Sequence, residues 1–401
     1  MTEGEFPQAP RVPQPLLRPS PRRHLENSVS DSVPERTSPL FAVHTELGAS
    51  FTDFAGWQMP VRYTSDLAEH AAVRTAAGIF DLSHMAEILV YGPDAGTFLD
   101  TALAGRLSAI DLMQAKYSLL LTETGGILDD VVVYRLGDTT FLIVANAGNR
   151  DVAFAALRDR SAGFDVTVDD QSDDYALIAV QGPNSRVILE ETVGISELSV
   201  PLADLKYYRA TDGFYNGVPL LVARTGYTGE DGFELYLRAE SAVLLWRALQ
   251  DAGESHGLVP AGLASRDTLR LEAGMPLYGH ELGTETFPVQ AGLGRVVALS
   301  KENDFVGRSA IETGPAEDAR VLVGLTSEGK RAGRAGYAIV SGDAEVGIVT
   351  SGALSPTLGH PIMMAYVDPS VSEPGTELAV DVRGTHIPVT VTPLPFYRRE
   401  K

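Results

Sequence analysis

Two adjacent carboxylates, Asp129 and Asp130, interrupt an otherwise apolar run, YSLLLTETGGILDDVVVYRL at 117–136, and few folds accommodate such a pair. The run reads as a strand on either side of the pair. Successive strand side chains point to opposite faces, so one Asp must face inward whichever way the strand lies. A buried carboxylate is destabilising unless it is hydrogen-bonded, paired or protonated. Whatever surrounds this strand must give one of them a partner or a task. From the pair alone, a turn-adjacent cap and a divalent-cation site are both open readings.

The chain around it has 401 residues, too many for one ordinary core, and two or three domains are expected. It is 44% hydrophobic with mean hydropathy near zero, as in a globular protein. We find no run of 18 consecutive apolar residues and no basic-then-apolar N-terminus, so a membrane span and a secretory signal are not expected, and the cytoplasm is the expected compartment. The formal charge of −21 argues against nucleic acid as the main partner, although a local basic pocket stays compatible. There is no cysteine, which removes disulfides, thiol nucleophiles and Cys-ligated zinc or iron–sulfur sites. The eight histidines show no HExxH spacing, and His70, His84 and His280 read as structural or surface residues; no metal is expected.

Residues 1–37, rich in Pro with scattered Ser and Arg, read as a disordered tail. A mitochondrial transit peptide competes with that reading, against Glu3, Glu5 and Glu26. The folded chain is expected from Ser38, with a helix from Asp66 to about Gly78. Strands follow near 80–90, 117–122, 128–136, 140–145 and 175–183, giving an α+β chain. From about 320 the texture changes to short β-rich runs punctuated by Gly and Pro, as in a small barrel or sandwich. The expected divisions are 38–310 and 311–401.

Three further segments carry candidate chemistry. RTGYTGEDGFELY at 224–236 lacks the ending of a P-loop; its glycines shape a turn that presents Tyr227 and Glu234, or an ordinary hairpin. GLASRDTLRLEAGMPLYGHEL at 262–282 reads as a helix with Ser265 at its cap and Gly274 at its end. Arg266 near that start opposes the helix dipole and could clamp a carboxylate, or be a surface partner of Glu230 or Asp267. FDLSHMAEILVYG at 80–92 looks like a strand entering a core, with Met85 as packing.

Taken in order, FTDFAGWQMPVRY, FDLSHM, GGILDDVVVY, ANAGNR, TGYTGEDGFELY, RDTLRLEAGMPLYGHEL, QAGLGRVV, FVGRSAI and PFYRR resemble the aminomethyltransferase (T-protein) family of the glycine cleavage system, from about Ser38 to Arg399. The resemblance implies a three-domain cloverleaf with a central tetrahydrofolate site and a small C-terminal β-barrel. It implies transfer of a methylene from the aminomethyl-lipoyl arm of H-protein to tetrahydrofolate, releasing ammonia and 5,10-methylenetetrahydrofolate. The family's catalytic Asp falls on Asp130, with Asp129 as its outward neighbour. By the same resemblance Met85, Tyr117, Val132 and Tyr134 wall the folate rings, Glu234 meets the aminopyrimidine edge, and Tyr227 frames it. Arg266 would meet an anionic part of the folate, Tyr397 and Arg398 would close the site, and Asn146 would brace Asp130.

This sequence departs from many relatives at Gln290 and Arg295, where an acidic residue and a Trp are common, and at Met275 in place of a Tyr. Flavin-dependent relatives need a dinucleotide-binding domain, and no strand followed by GxGxxG is present. A non-catalytic folate-binding protein related to iron–sulfur cluster assembly factors is the alternative; those factors carry a Cys motif that is missing here. A glycosidase is excluded, because adjacent strand residues cannot flank one sugar. The partner implied is lipoylated H-protein, docking on a locally basic patch that uses Arg224 or Lys301, with a monomer as the family expectation.

Overall fold

The computed structural model describes residues 36–399. The expected Pro-rich tail lies outside the described residues up to position 35. Its last two residues, Arg36 and Thr37, instead pair in parallel with Trp57 and Gln58, so ordered backbone begins slightly earlier than the sequence suggests.

Two sheets stacked face to face form the centre. The first has seven strands in the order Ile195–Ser196, Ala210–Tyr215, Val218–Ala223, Gly232–Arg238, Tyr175–Gln181, Ala77–Asp81, Leu258–Pro260. The second has five, in the order Ala115–Leu121, Ile127–Gly137, Thr140–Ala145, Ala86–Tyr91, Thr167–Asp170. Between them lies an apolar layer that includes Phe80, Leu89, Tyr134, Leu142, Leu177 and Tyr236. Helices Ser185–Glu191 and Ala242–Gly253 cover the outer face of the larger sheet, with Ile188, Leu245 and Leu249 in its core. Helices Ala95–Ala102 and Arg150–Arg160 do the same for the smaller one, through Phe98, Leu99, Ala153 and Leu157. Each sheet is therefore buried on both faces, an arrangement that alternating hydrophobicity alone does not announce.

The strand expected near 80–90 is two strands, Ala77–Asp81 in one sheet and Ala86–Tyr91 in the other. The helix before them ends at Thr75, because Gly78 is already paired with Gln181 in the larger sheet. Asp81 Oδ1 accepts the Ser83 N–H at 2.9 Å and turns the chain between the sheets, which brings His84 and Met85 to the gap.

The segment from Val321 to Thr392 closes a six-stranded antiparallel barrel around Leu325, Ile339, Val349, Met363 and Val380. It is fastened by helix Leu263–Glu272. Arg270 donates to Glu281 Oε2 at 2.9 Å and to Ser351 Oγ at 2.7 Å. Glu272 accepts from Arg74 Nη2 and Thr357 Oγ1, each at 2.7 Å, and lies 3.2 Å from His70 Nε2. Gly262, not Ser265, caps this helix; Ser265 lies inside its first turn and donates to the Gly262 carbonyl at 2.9 Å. The chain turns at Gly262 because a side chain there would strike the Val61 backbone, while Glu69 Oε2 takes its N–H at 2.9 Å. Gly274, at φ +65°, ends the helix in the left-handed region, as the sequence indicates. Among the described residues no helix is long and apolar enough to cross a membrane.

Candidate active site

A cavity of about 520 Å³ opens where the two sheets diverge, closed on a third side by helix Leu263–Glu272 and the segment after it. Val132, Val144, Leu177 and Met85 give it flat apolar walls, and Tyr117, Tyr208, Tyr227 and Tyr236 give it aromatic ones. Its size and apolar lining suit a ligand with several rings.

The strand Ile127–Gly137 explains how Asp130 reaches this cavity. Along it Asp129, Val131 and Val133 face the helices and Asp130 and Val132 face the opposite way; a bulge just before Asp129 turns Leu128 toward the helices as well and leaves Ile127 with Leu119 and Leu121 on the other side. Asp129 is therefore not outward: it is fully buried, 0% exposed, because helices cover the face that a one-sided sheet would leave to water. Both carboxylates are inside, on opposite sides of one sheet.

One amide serves both. Val132 pairs with Val144, so Asn146 stands opposite Asp130 just beyond the end of strand Thr140–Ala145. There its side chain takes over from the ladder. Asn146 Nδ2 donates to the Asp130 carbonyl at 3.1 Å, to Asp130 Oδ1 at 2.7 Å and to Asp129 Oδ1 at 2.8 Å. Tyr117 OH donates to Asp130 Oδ2 at 3.0 Å. Asp129 also accepts from Asn149 Nδ2 at 2.9 Å and from the Asn146 N–H at 3.2 Å. Burial raises the pKa of Asp130, against the hydrogen bonds from Tyr117 and Asn146. For Asp129 burial and the neighbouring Asp130 charge outweigh the two asparagines and push it up to about 7.

At the opposite wall, Glu234 Oε2 accepts from Thr225 Oγ1 and, at 3.4 Å, from Tyr134 OH. Among the described residues Glu234 Oε1 has no protein donor. The glycine-rich loop that carries Tyr227 wraps the Gln181 amide: Gly226 and Gly232 leave it room, and Thr228 Oγ1 donates to Gln181 Oε1 at 2.9 Å. Tyr227 OH donates to the Pro276 carbonyl, which turns its ring face toward Arg266 at 4.9 Å. Arg266 is neither on the surface nor paired with Glu230 or Asp267, and among the described residues its buried Nη1 has no hydrogen-bond partner. A buried guanidinium N–H left free beside a cavity is the mark of a position that a ligand acceptor completes.

The structure thus brings Met85, Tyr117, Asp130, Val132, Asn146, Tyr227, Glu234 and Arg266 to one cavity. Tyr134 stands one layer behind, its hydroxyl holding Thr225 and accepting from Tyr236. Tyr397 and Arg398 do not line the cavity. Tyr397 OH donates to Glu230 at 2.8 Å under the Arg74 guanidinium, and Arg398 is exposed, so the C-terminal segment reinforces the barrel fastening instead. Lys301 cannot serve as a docking cation: it is 4% exposed, and its Nζ holds the carbonyls of Asp100, Leu103 and Gly105 at the end of helix Ala95–Ala102. Arg224 is committed to Asp231, with hydrogen bonds of 2.9 and 2.6 Å.

Sequence reasoning missed Asn149, Thr225, Tyr208 and Tyr236. Tyr208 enters the cavity wall from a backbone with φ +61°, which no local pattern signals. His84, read as structural or surface, lines the cavity edge-on to Phe54 at 5.5 Å; burial lowers its pKa to about 4, so its imidazole is neutral at physiological pH.

A flat cavity between stacked sheets, closed by a barrel-fastening helix and carrying an anionic end, defines an enclosed small-molecule site of a recognisable class. Residues 40–301 match the GCVT N-terminal domain family, and residues 320–398 match the glycine cleavage T-protein C-terminal barrel domain family. The chain belongs to the glycine cleavage T-protein family. It is 61% identical to the aminomethyltransferase of Cutibacterium acnes over 91% of this chain and 99% of that one. Against the aminomethyltransferase of Streptomyces coelicolor it is 55% identical, over 91% and 98%. The crystal structure of glycine cleavage system aminomethyltransferase T from Bartonella henselae superposes with a TM-score of 0.83 at 36% identity, covering 92% of this chain and all of that one.

Proposed function

We propose that this cavity binds tetrahydrofolate and that the chain transfers a methylene to it from an aminomethyl-lipoyl arm carried by H-protein. The single observation that carries the reading is Asp130: a buried carboxylate, aimed into a flat aromatic cavity by Tyr117 and Asn146, with no cation paired to it among the described residues. The residues present fit the folate. Glu234 Oε1 is free to accept from the N–H donors of an aminopyrimidine edge, and the unmet Arg266 Nη1 suits an oxygen acceptor of the same molecule. Met85, Val132 and Tyr117 lie where a flat ring and its aromatic linker need apolar walls.

In the overall transfer the methylene leaves sulfur and nitrogen and becomes bonded to two folate nitrogens. The two protons those nitrogens lose appear on the thiol and on ammonia, so atoms balance without an oxidant. Asp130 accepts the hydrogen bond of the attacking nitrogen and takes its proton as the bond to carbon forms. Its negative charge, in a site screened from water, also favours the positive charge that develops on the methylene. Neutral His84 adds no competing cation at the cavity edge. The full-length similarity to aminomethyltransferases favours this reading over a non-catalytic folate-binding protein.

The test is tetrahydrofolate-dependent ammonia release from aminomethylated H-protein. Asp130→Asn keeps the shape and one of the two acceptor oxygens but cannot take a proton; it is expected to lose about 100-fold or more in kcat while still binding folate. Folate binding by the wild type without turnover would overturn the transferase reading.

A further inference from the structure

Asp129 has no place in the chemistry just described. It faces away from the cavity, is fully buried and is not part of the cavity lining. Burying an acid with no counter-cation is costly even when it is hydrogen-bonded, and a strand with no other need here would carry an apolar residue at 129, as it does on the same face at Val131 and Val133.

Its contacts indicate a use. The Asn146 amide nitrogen carries two hydrogens and meets three oxygens, one of Asp129 and two of Asp130, within 3.1 Å. A primary amide can turn over and present its oxygen instead. Toward Asp130 that would set oxygen against carboxylate and misdirect it. Asp129 and the Asp130 carbonyl are the acceptors that keep the nitrogen end facing them. Asn149 and the Asn146 N–H in turn hold Asp129 from its other sides. Resting on the transferase reading above, we propose that Asp129 is a positioning residue: through the shared amide of Asn146 and through its own charge it sets the orientation and protonation of Asp130 without touching the substrate.

The surroundings leave the pair to balance itself. The titratable groups electrostatically closest to it are the phenols of Tyr117, Tyr208, Tyr227 and Tyr278, all raised by burial; Arg266, Arg270, His84 and His280 line the same cavity with Asp53, Glu234 and Asp267, but among the described residues no cation forms an ion pair with either carboxylate. Two carboxylates sharing one amide without a cation titrate as a unit. Burial and the Asp130 charge bring an ionisation of the pair, at Asp129, close to neutrality, and it adds a negative charge next to the reacting centre.

The experiment measures kcat against pH for the full chain with aminomethylated H-protein, in wild type, Asp129→Asn and Asn149→Ala, with folate dissociation constants and thermal melting alongside. In Asp129→Asn the near-neutral ionisation is expected to vanish from the profile and kcat to fall about 10- to 100-fold, while folate affinity changes little. In Asn149→Ala the same ionisation is expected at higher pH, because a hydrogen bond to the charged form is lost. A kcat profile of Asp129→Asn that superposes on the wild type, or a near-neutral ionisation that persists in it, overturns the proposal. A fall in melting temperature with the profile unmoved in Asn149→Ala also overturns it, since that is what a purely structural Asp129 produces. These outcomes are distinct from failure of the transferase reading, which would show as no turnover in the wild type.

Discussion

Replacing Tyr117 by Phe removes one of the two side-chain donors that reach Asp130 and leaves the ring wall in place. The hydroxyl lies 3.0 Å from Asp130 Oδ2, the distance of a full hydrogen bond, and its acceptor is charged in the active form. Such charge-assisted bonds contribute about 1.5–3 kcal/mol. They act on the ionised carboxylate only, so their loss converts at about 1.4 kcal/mol per pKa unit into a rise of about one to two units for Asp130. Burial already raises that pKa, and removing a group that lowers it moves it further the same way. The acidic limb of kcat/KM for tetrahydrofolate, followed by ammonia release from about pH 5 to 9, is thus expected to move to higher pH by about one to two units. Well above the limb, activity should approach that of the wild type. A limb that stays in place, or moves to lower pH, would refute the assignment of this limb to a carboxylate held by Tyr117.

Other consequences follow from the same contacts. Arg266→Leu leaves the fold's hydrogen bonds intact but deprives the folate of a buried guanidinium donor; by titration its dissociation constant should rise about 10- to 100-fold, and an unchanged constant would remove Arg266 from the site. Burial pushes Glu272 up, but His70, Ser355 and Thr357 outweigh it and bring its pKa from 4.5 to about 2. A depressed folded-state pKa gives stability that is present above the ordinary value and lost as pH falls through the depressed one, here about 3 kcal/mol. In urea unfolding the penalty of Glu272→Gln should be largest near neutrality and shrink between about pH 4.5 and 2; a penalty constant with pH counts against the ion cluster. Gly126 admits no side chain, because a Cβ there would land on the Thr284 carbonyl. Gly126→Ala is expected to lose about 3 kcal/mol or more of stability, visible as a lowered melting temperature, and a melting curve like the wild type's would contradict the packing of that loop.

Some of this was legible in the chain and some was not, for identifiable reasons. The strands at 127–137 and 140–145 show in their composition and turn residues, and the barrel shows in its Gly and Pro punctuation. Asp130 stands out because a carboxylate in an apolar strand is expensive to ignore. Asp129 was misjudged because period-two alternation says which residues share a face but not whether the second face is covered by helices. Tyr397 and Lys301 fail for another reason: an aromatic or a cation is equally suited to a ligand and to a structural carbonyl or carboxylate, and only packing between distant segments decides. Ser265 is a good cap by type, yet Gly262 takes the position because the Val61 backbone leaves no room for a side chain.

Helix Leu263–Glu272 lines the cavity along one side, with Arg266 and Asp267 among its contributions, and fastens the barrel through Arg270 and Glu272. Were the barrel to leave, Ser351, Ser355 and Thr357 would go with it: Arg270 would keep Glu281 and Asp267, and Glu272 would keep Arg74 and His70, but a cluster now closed to water would be opened along one side. The seam at which the two family segments meet is accordingly a closed polar joint, and parting them would open to water charges that both segments now hold.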